Sequence, residues 1–108
     1  MGKETSDQVL DLSRSLKELR EIPGVGKSIA MDLVNIGIRS VSDLAGRSPE
    51  DLFDASNKFA GVVQDRCLLY VFRLAVYWAE TPAAGRRPEL LKWWNWKEDK
   101  LIMLGYEK

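Results

Sequence analysis

The run Ile22-Pro23-Gly24-Val25-Gly26-Lys27-Ser28 gathers into seven positions the groups that can hold an anion without a metal or cofactor. Glycines let the backbone approach a phosphate with no Cβ in the way, and a helix that starts directly behind them offers unpaired N–H groups at its positive end. The expected contacts are the amides of Gly24, Val25, Gly26 and Lys27, with the Lys27 ammonium as a mobile counter-charge. The Ser28 hydroxyl can cap the helix or donate to an oxygen. A plainer reading is a tight corner between two packed helices, which needs the same glycines. Gly26-Lys-Ser28 also suggests a P-loop, but that motif requires a glycine five residues earlier, where this chain has Glu21, and a strand before it. Nucleotide hydrolysis is therefore rejected.

The second cluster is aromatic. Trp93, Trp94 and Trp96 are three of the four tryptophans and sit within Lys92-Trp-Trp-Asn-Trp-Lys97. Rings flanked by Lys92, Lys97 and the Arg86-Arg87 pair could stack on unpaired bases while the cations hold phosphates. The preferred alternative is that the tryptophans seal a small core against Trp78, because small domains need large buried side chains. Little else could do chemistry. The chain has no histidine, and its single cysteine, Cys67, lies in an apolar helical pattern and reads as a packed core thiol. No paired carboxylates or activated nucleophile stand at a plausible site, so the expectation is a non-catalytic protein with no metal and no cofactor.

At 108 residues the chain suits one domain, with its core at about residues 9–97. Lys+Arg and Asp+Glu are both 16, giving a net charge of +0, and this neutrality weighs against strong nucleic-acid binding. No apolar run reaches the ~20 residues that span a bilayer. The first residues lack the stretch of a secretory signal, so a cytoplasmic location is expected. Met1-Gly-Lys-Glu-Thr-Ser6 also satisfies the pattern for N-myristoylation, which is too permissive to argue from.

These groups must be positioned by helices. Val9, Leu12, Leu16 and Leu19 recur at three and four, predicting a helix from Val9 to Ile22 that Pro23 stops. A second follows the glycines, with Ile29, Ala30, Leu33 and Val34 on its apolar face and Gly37 as its left-handed end. Ser40-Val-Ser-Asp43 has capping-box spacing and should open a short turn of helix closed by Gly46. Ser48-Pro-Glu-Asp51 starts the next helix, to about Lys58, with Leu52, Phe53 and Phe59 as its apolar contacts before the Ala60-Gly61 break. The longest helix is expected from Val63 to Glu80. Thr81 to Pro88 reads as a loop, Pro88 to Trp94 as a short helix, and in the last dozen residues Leu101-Ile-Met-Leu104 is apolar enough to pack but favours neither helix nor strand, with partial fraying expected at the terminus. Strand signals are scarce, and the fold class is all-α.

A helix, Ile-Pro-Gly-Val-Gly-Lys and a second helix, carried by residues Ile22 through Ala30, resembles the helix-hairpin-helix motif of DNA repair and replication proteins. The resemblance implies contacts that read the DNA backbone and not the bases. Such motifs occur as pseudo-symmetric pairs, and the helix order here fits a compact five- to six-helix, tandem, SAM-like arrangement. Its second hairpin, Asn57 to Val63, keeps only Gly61 and is degenerate; Asp65 stands where a phosphate would be repelled. Together with Val71-Phe-Arg-Leu-Ala-Val-Tyr-Trp78 and Leu91-Lys-Trp-Trp-Asn-Trp-Lys97, the early hairpin is similar to the bacterial pathogenicity-locus family, often labelled mitomycin resistance protein. That likeness, over roughly Leu16 to Asp99, implies a small DNA-associated bacterial protein without a defined activity. Having Cys67 alone departs from the cysteine-rich members, and no redox role is inferred.

The leading expectation is thus a sequence-independent DNA-binding domain using Gly24 to Ser28, with Arg20, Arg39, Arg86, Arg87, Lys92, Trp93, Trp96 and Lys97 as accessory contacts to DNA or a partner. The alternative is a protein-interaction module in a DNA-processing complex. A continuous basic face of Arg20, Lys27 and Arg39 favours the first; a face broken by Glu21 and Asp32 favours the second.

Overall fold

A computed structural model describes residues 2–106, with side chains from position 8 onward, so the myristoylation-type pattern lies outside the described side chains. Its α-helices are α1 (Gly2–Leu19), α2 (Lys27–Asn35), α3 (Pro49–Ala60), α4 (Arg66–Glu80) and α5 (Glu98–Met103). Four 3-10 turns, at Val41–Leu44, Ala83–Gly85, Pro88–Leu91 and Trp93–Trp96, complete the order, and no strand occurs among the described residues. The protein is all-α.

α4 is the axis of the fold. Residues 68–72 and 74–77 are all buried, as expected of a helix surrounded by partners instead of resting on one face. It packs against α3 and against the 41–44 and 93–96 turns, while α2 bridges α1 to α3. Leu19, Ile22, Ala30, Leu33, Ile38, Leu44, Leu52, Phe72, Leu74 and Leu90 close the core around it.

Local signals set the helix ends. Ser48 Oγ accepts from Asp51 N at 3.3 Å with Pro49 behind it, and Gly61 ends α3 in the left-handed conformation. Gly37, at φ +93°, follows α2 in the same way. Ser40, by contrast, makes no cap with its side chain. The Asp43 carboxylate accepts from Arg39 N at 3.0 Å, and Glu18 reaches across from α1 to accept from Val41 N, so the turn is capped partly from a distant element.

Several expectations need correction. α1 begins earlier and ends at Leu19, three residues before the proline-containing turn begins to redirect the chain. Val9 is exposed despite its apolar spacing, because α2 covers only the later turns of α1. α4 starts at Arg66 and not Val63, since Asp65 takes the N-cap and leaves Val62 and Val63 in solvent. Phe59 is exposed because the last turn of α3, residues 58–60, runs past the core. Cys67 is exposed as well: it lies in the first turn of α4, before the helix enters the core. Residues 88–96 form two 3-10 turns instead of one helix, and the tail whose period favours neither helix nor strand contains α5.

The tail is fastened by aromatic packing. Trp96 is fully buried, donates from Nε1 to Leu90 O at 2.8 Å, and meets Tyr77 and Tyr106 with ring centroids 5.3 Å away in each case. Trp96 with two tyrosines forms the fully enclosed part of the core seal, and Trp78 and Trp93 pack against the core partly buried. Trp78 also carries the Arg86 guanidinium, 3.6 Å above its ring.

Candidate nucleic-acid interface

The corner between α1 and α2 is a type II turn. Val25 N donates to Ile22 O at 3.0 Å, Pro23 supplies the first central position, and Gly24 takes the second at φ +85°. Ile22 and Val25 anchor the turn in the core, at 1% and 5% exposure, and leave Gly24, Gly26, Lys27 and Ser28 on the surface. The indole of Trp93 lies against Gly24: a Cβ added there would stand 3.3 Å from Trp93 Cδ1. The two sequence clusters therefore meet.

Gly26 is the N-cap of α2, with extended backbone and no side chain to cap with. The first bond of the helix runs from Ala30 N to Gly26 O, 2.9 Å, so the N–H groups of Lys27, Ser28 and Ile29 precede it, and no protein group accepts from them among the described residues. Ser28 is the second residue of α2 and does not cap it. Val25 drops out of the expected amide donors, because its N–H closes the turn. The amides left for an anion are those of Gly24, Gly26, Lys27, Ser28 and Ile29, beside a Lys27 ammonium that forms no ion pair among the described residues.

The corresponding corner between α3 and α4 is closed by its own side chains. The Asp65 carboxylate accepts from Cys67 N at 2.8 Å, and Asn57 Oδ1 accepts from Gln64 N at 2.9 Å. Gln64 Nε2 donates to the buried Ser56 Oγ at 2.9 Å. Hydrogen bonding to Cys67 holds the Asp65 carboxyl below its ordinary range. A separate hydrogen bond from the thiol to the Asp65 carboxylate, with slight desolvation and the charge of that carboxylate, raises the Cys67 thiol. This corner holds a carboxylate where the first leaves an opening, and Cys67 is not an activated nucleophile.

The accessory residues separate into groups. Arg20 is exposed two residues before the turn and free of ion pairs among the described residues. Arg39 lies beyond the end of α2 opposite to Lys27. Arg86 is held on Trp78 and donates to Trp78 O at 3.0 Å. Arg87 pairs with Glu89 at 3.1 Å and donates to Leu104 O at 3.1 Å, which ties the tail to the body. Trp96 is interior and cannot touch a ligand. Lys92 and Lys97, both exposed, bracket the turn whose first residue, Trp93, rests on Gly24.

A groove of ≈ 360 Å³ runs from Gly24 and Trp93 to the start of α4, with Asp32 and Asp65 in its lining. Partial burial raises the Asp32 carboxyl. The basic face is thus interrupted by Asp32 at the hairpin. The sequence signalled this residue, whereas the approach of Asp65 from 33 positions away depends on how α4 packs.

Residues 13–101 match the Pathogenicity locus family. The chain is also similar to the mitomycin resistance protein McrB of Streptomyces lavendulae: the two are 31% identical over 90 residues, which is 83% of this chain and 80% of that one. No solved structure matches it. No helix among the described residues is long and apolar enough to cross a membrane.

Proposed function

Starting from a chain that belongs to the Pathogenicity locus family, we propose that its α1–α2 corner works as a helix-hairpin-helix phosphate clamp in a non-catalytic, sequence-independent DNA-binding domain. The observation that carries this reading is the uncapped start of α2: Gly26 brings no side chain to the free N–H groups, and unpaired Lys27 stands beside them. Contact is one-sided, because the second corner is filled by Asp65 and Asn57. Affinity is correspondingly modest, and a part in DNA repair or damage resistance fits the name of the Streptomyces relative.

The test is duplex and single-stranded DNA binding across a salt series, with Lys27→Glu as control. The expected log–log salt slope is about −1 to −2, reflecting one or two phosphates, and Lys27→Glu weakens binding and flattens the slope by about one. Equal binding by both proteins sinks the assignment.

A second reading, a protein-interaction module in a DNA-processing complex, draws support from the interruption of the basic face by Asp32 and from one apolar surface. Phe59, Val62 and Val63 stand exposed together in sequence at the α3–α4 connection, at 64%, 63% and 86%. A triple Phe59→Ser, Val62→Ser, Val63→Ser variant that keeps DNA binding but loses a defined complex supports it; unchanged complexes refute it.

A further inference from the structure

We propose that the groove between the first hairpin and the start of α4 receives an arginine side chain presented by a partner protein. Its walls are Gly24, Ile29, Leu68 and the indole of Trp93, and its charged groups are the carboxylates of Asp32 and Asp65. Neither carboxylate has a cationic ion-pair partner among the described residues. Apolar walls, a flat aromatic ring and two acceptors of like charge are complementary to a planar guanidinium on an aliphatic stem. The same two charges disfavour a phosphate toward the α4 end of the groove.

The protein already builds each half of such a site for its own arginines. Arg86 stacks on a tryptophan, with its guanidinium carbon 3.6 Å from the ring centroid of Trp78. Arg73 is clamped between two carboxylates, 3.1 Å from Glu50 and 2.8 Å from Glu98. The groove brings a tryptophan and two acids into one lining, and no basic side chain is among its lining residues. Partial burial that raises the Asp32 carboxyl is the sign of a charge out of water with nothing to offset it. The volume of ≈ 360 Å³ accommodates one such side chain with water. Lysine fits less well, because a point charge cannot both lie flat on Trp93 and fork to two acceptors.

The experiment is a titration of the full chain, followed by backbone and indole NMR, with acetyl-Gly-Arg-Gly-amide against the Lys and Gln counterparts. Saturable shifts are expected at Gly24, Cys67 and the Trp93 indole with the arginine peptide, weaker ones with lysine and none with glutamine. Asp32→Asn weakens the arginine peptide by about fivefold, the size of one exposed charge pair. Trp93→Phe, which retains a ring against Gly24, weakens it less, while Lys27→Glu leaves it intact, separating this site from the phosphate clamp. No saturable shift, equal binding by the glutamine peptide, or an unchanged Asp32→Asn overturns the proposal. So does oligo(dT) producing the same groove shifts in the Lys27→Glu chain, which assigns the groove to an unpaired base.

Discussion

Replacing Gly24 and Gly26 separately by alanine distinguishes what the hairpin does for the fold from what it does for a ligand. Gly24 has φ +85°, where a residue with a Cβ costs ~1–2 kcal/mol, and the new methyl would sit 3.3 Å from Trp93 Cδ1. The indole can yield a few tenths of an ångström only by shifting the 93–96 turn that carries buried Trp96. Together these give a loss of about 2–3 kcal/mol, and at ~4–8 °C per kcal/mol for a domain of this size a fall in Tm of roughly 10–20 °C. Gly26 has φ −91°, and nothing lies within 4 Å of its added Cβ. Its substitution costs no backbone strain, and only the poorer N-cap character of alanine, about 0.5–1 kcal/mol, remains. The same methyl stands at the mouth of the free N–H groups, so Gly26→Ala should weaken DNA binding severalfold in a nearly unperturbed protein. Thermal unfolding of both variants, followed by DNA titration of Gly26→Ala at low salt, makes the comparison. Equal Tm losses would refute the turn argument, and full DNA binding by Gly26→Ala would refute the clamp.

The tryptophans should divide sharply. Trp96→Ala is expected to lose ~3–5 kcal/mol in denaturant unfolding, from an emptied core site and an orphaned Leu90 carbonyl, whereas half-exposed Trp94→Ala stays within ~0.5 kcal/mol. Asp65 is an acid-sensitive cap: its folded carboxyl lies below its ordinary value, so its contribution is complete above the unfolded carboxylate range and disappears as pH falls through the depressed value. Melting curves between pH 7 and pH 2 should therefore show a steeper acid loss for wild type than for Asp65→Asn. Cys67 should alkylate in the native state, being exposed, yet more slowly than a free thiol at neutral pH, because Asp65 disfavours its thiolate. Asp65→Asn should speed that reaction, and an unchanged rate contradicts the assigned cause.

The helical fold and the tight turn between α1 and α2 were readable along the chain because both rest on local rules. Apolar spacing at three and four, Ser48-Pro49 at a helix start, and Gly37 and Gly61 at helix ends all act within one or two turns, and each recurs in the structure. The misreadings share a physical origin. Cys67, Phe59 and Val63 have the residue types of a core but lie where helices overrun it or have not yet entered it, which spacing cannot show. Ser40 failed as a cap because the Asp43 N–H it would have capped closes the 3-10 turn on Ser40 O at 3.1 Å, while its hydroxyl pairs with Ser42 Oγ at 2.9 Å. The cations near the tail look alike in sequence, but Arg86 and Arg87 are committed to Trp78 and Leu104, while Lys92 and Lys97 are exposed.

By itself the sequence determined a tight turn at Pro23-Gly24, a helix starting directly behind it, and a neutral all-helical chain. Each follows from backbone sterics or counting, neither of which depends on distant residues. Tertiary structure alone decided that Trp93 lies on Gly24 while Trp96 is buried, and that Asp32 and Asp65 line one groove. Those outcomes come from packing α4 between α3 and the tail, which brings together residues dozens of positions apart that no periodicity relates.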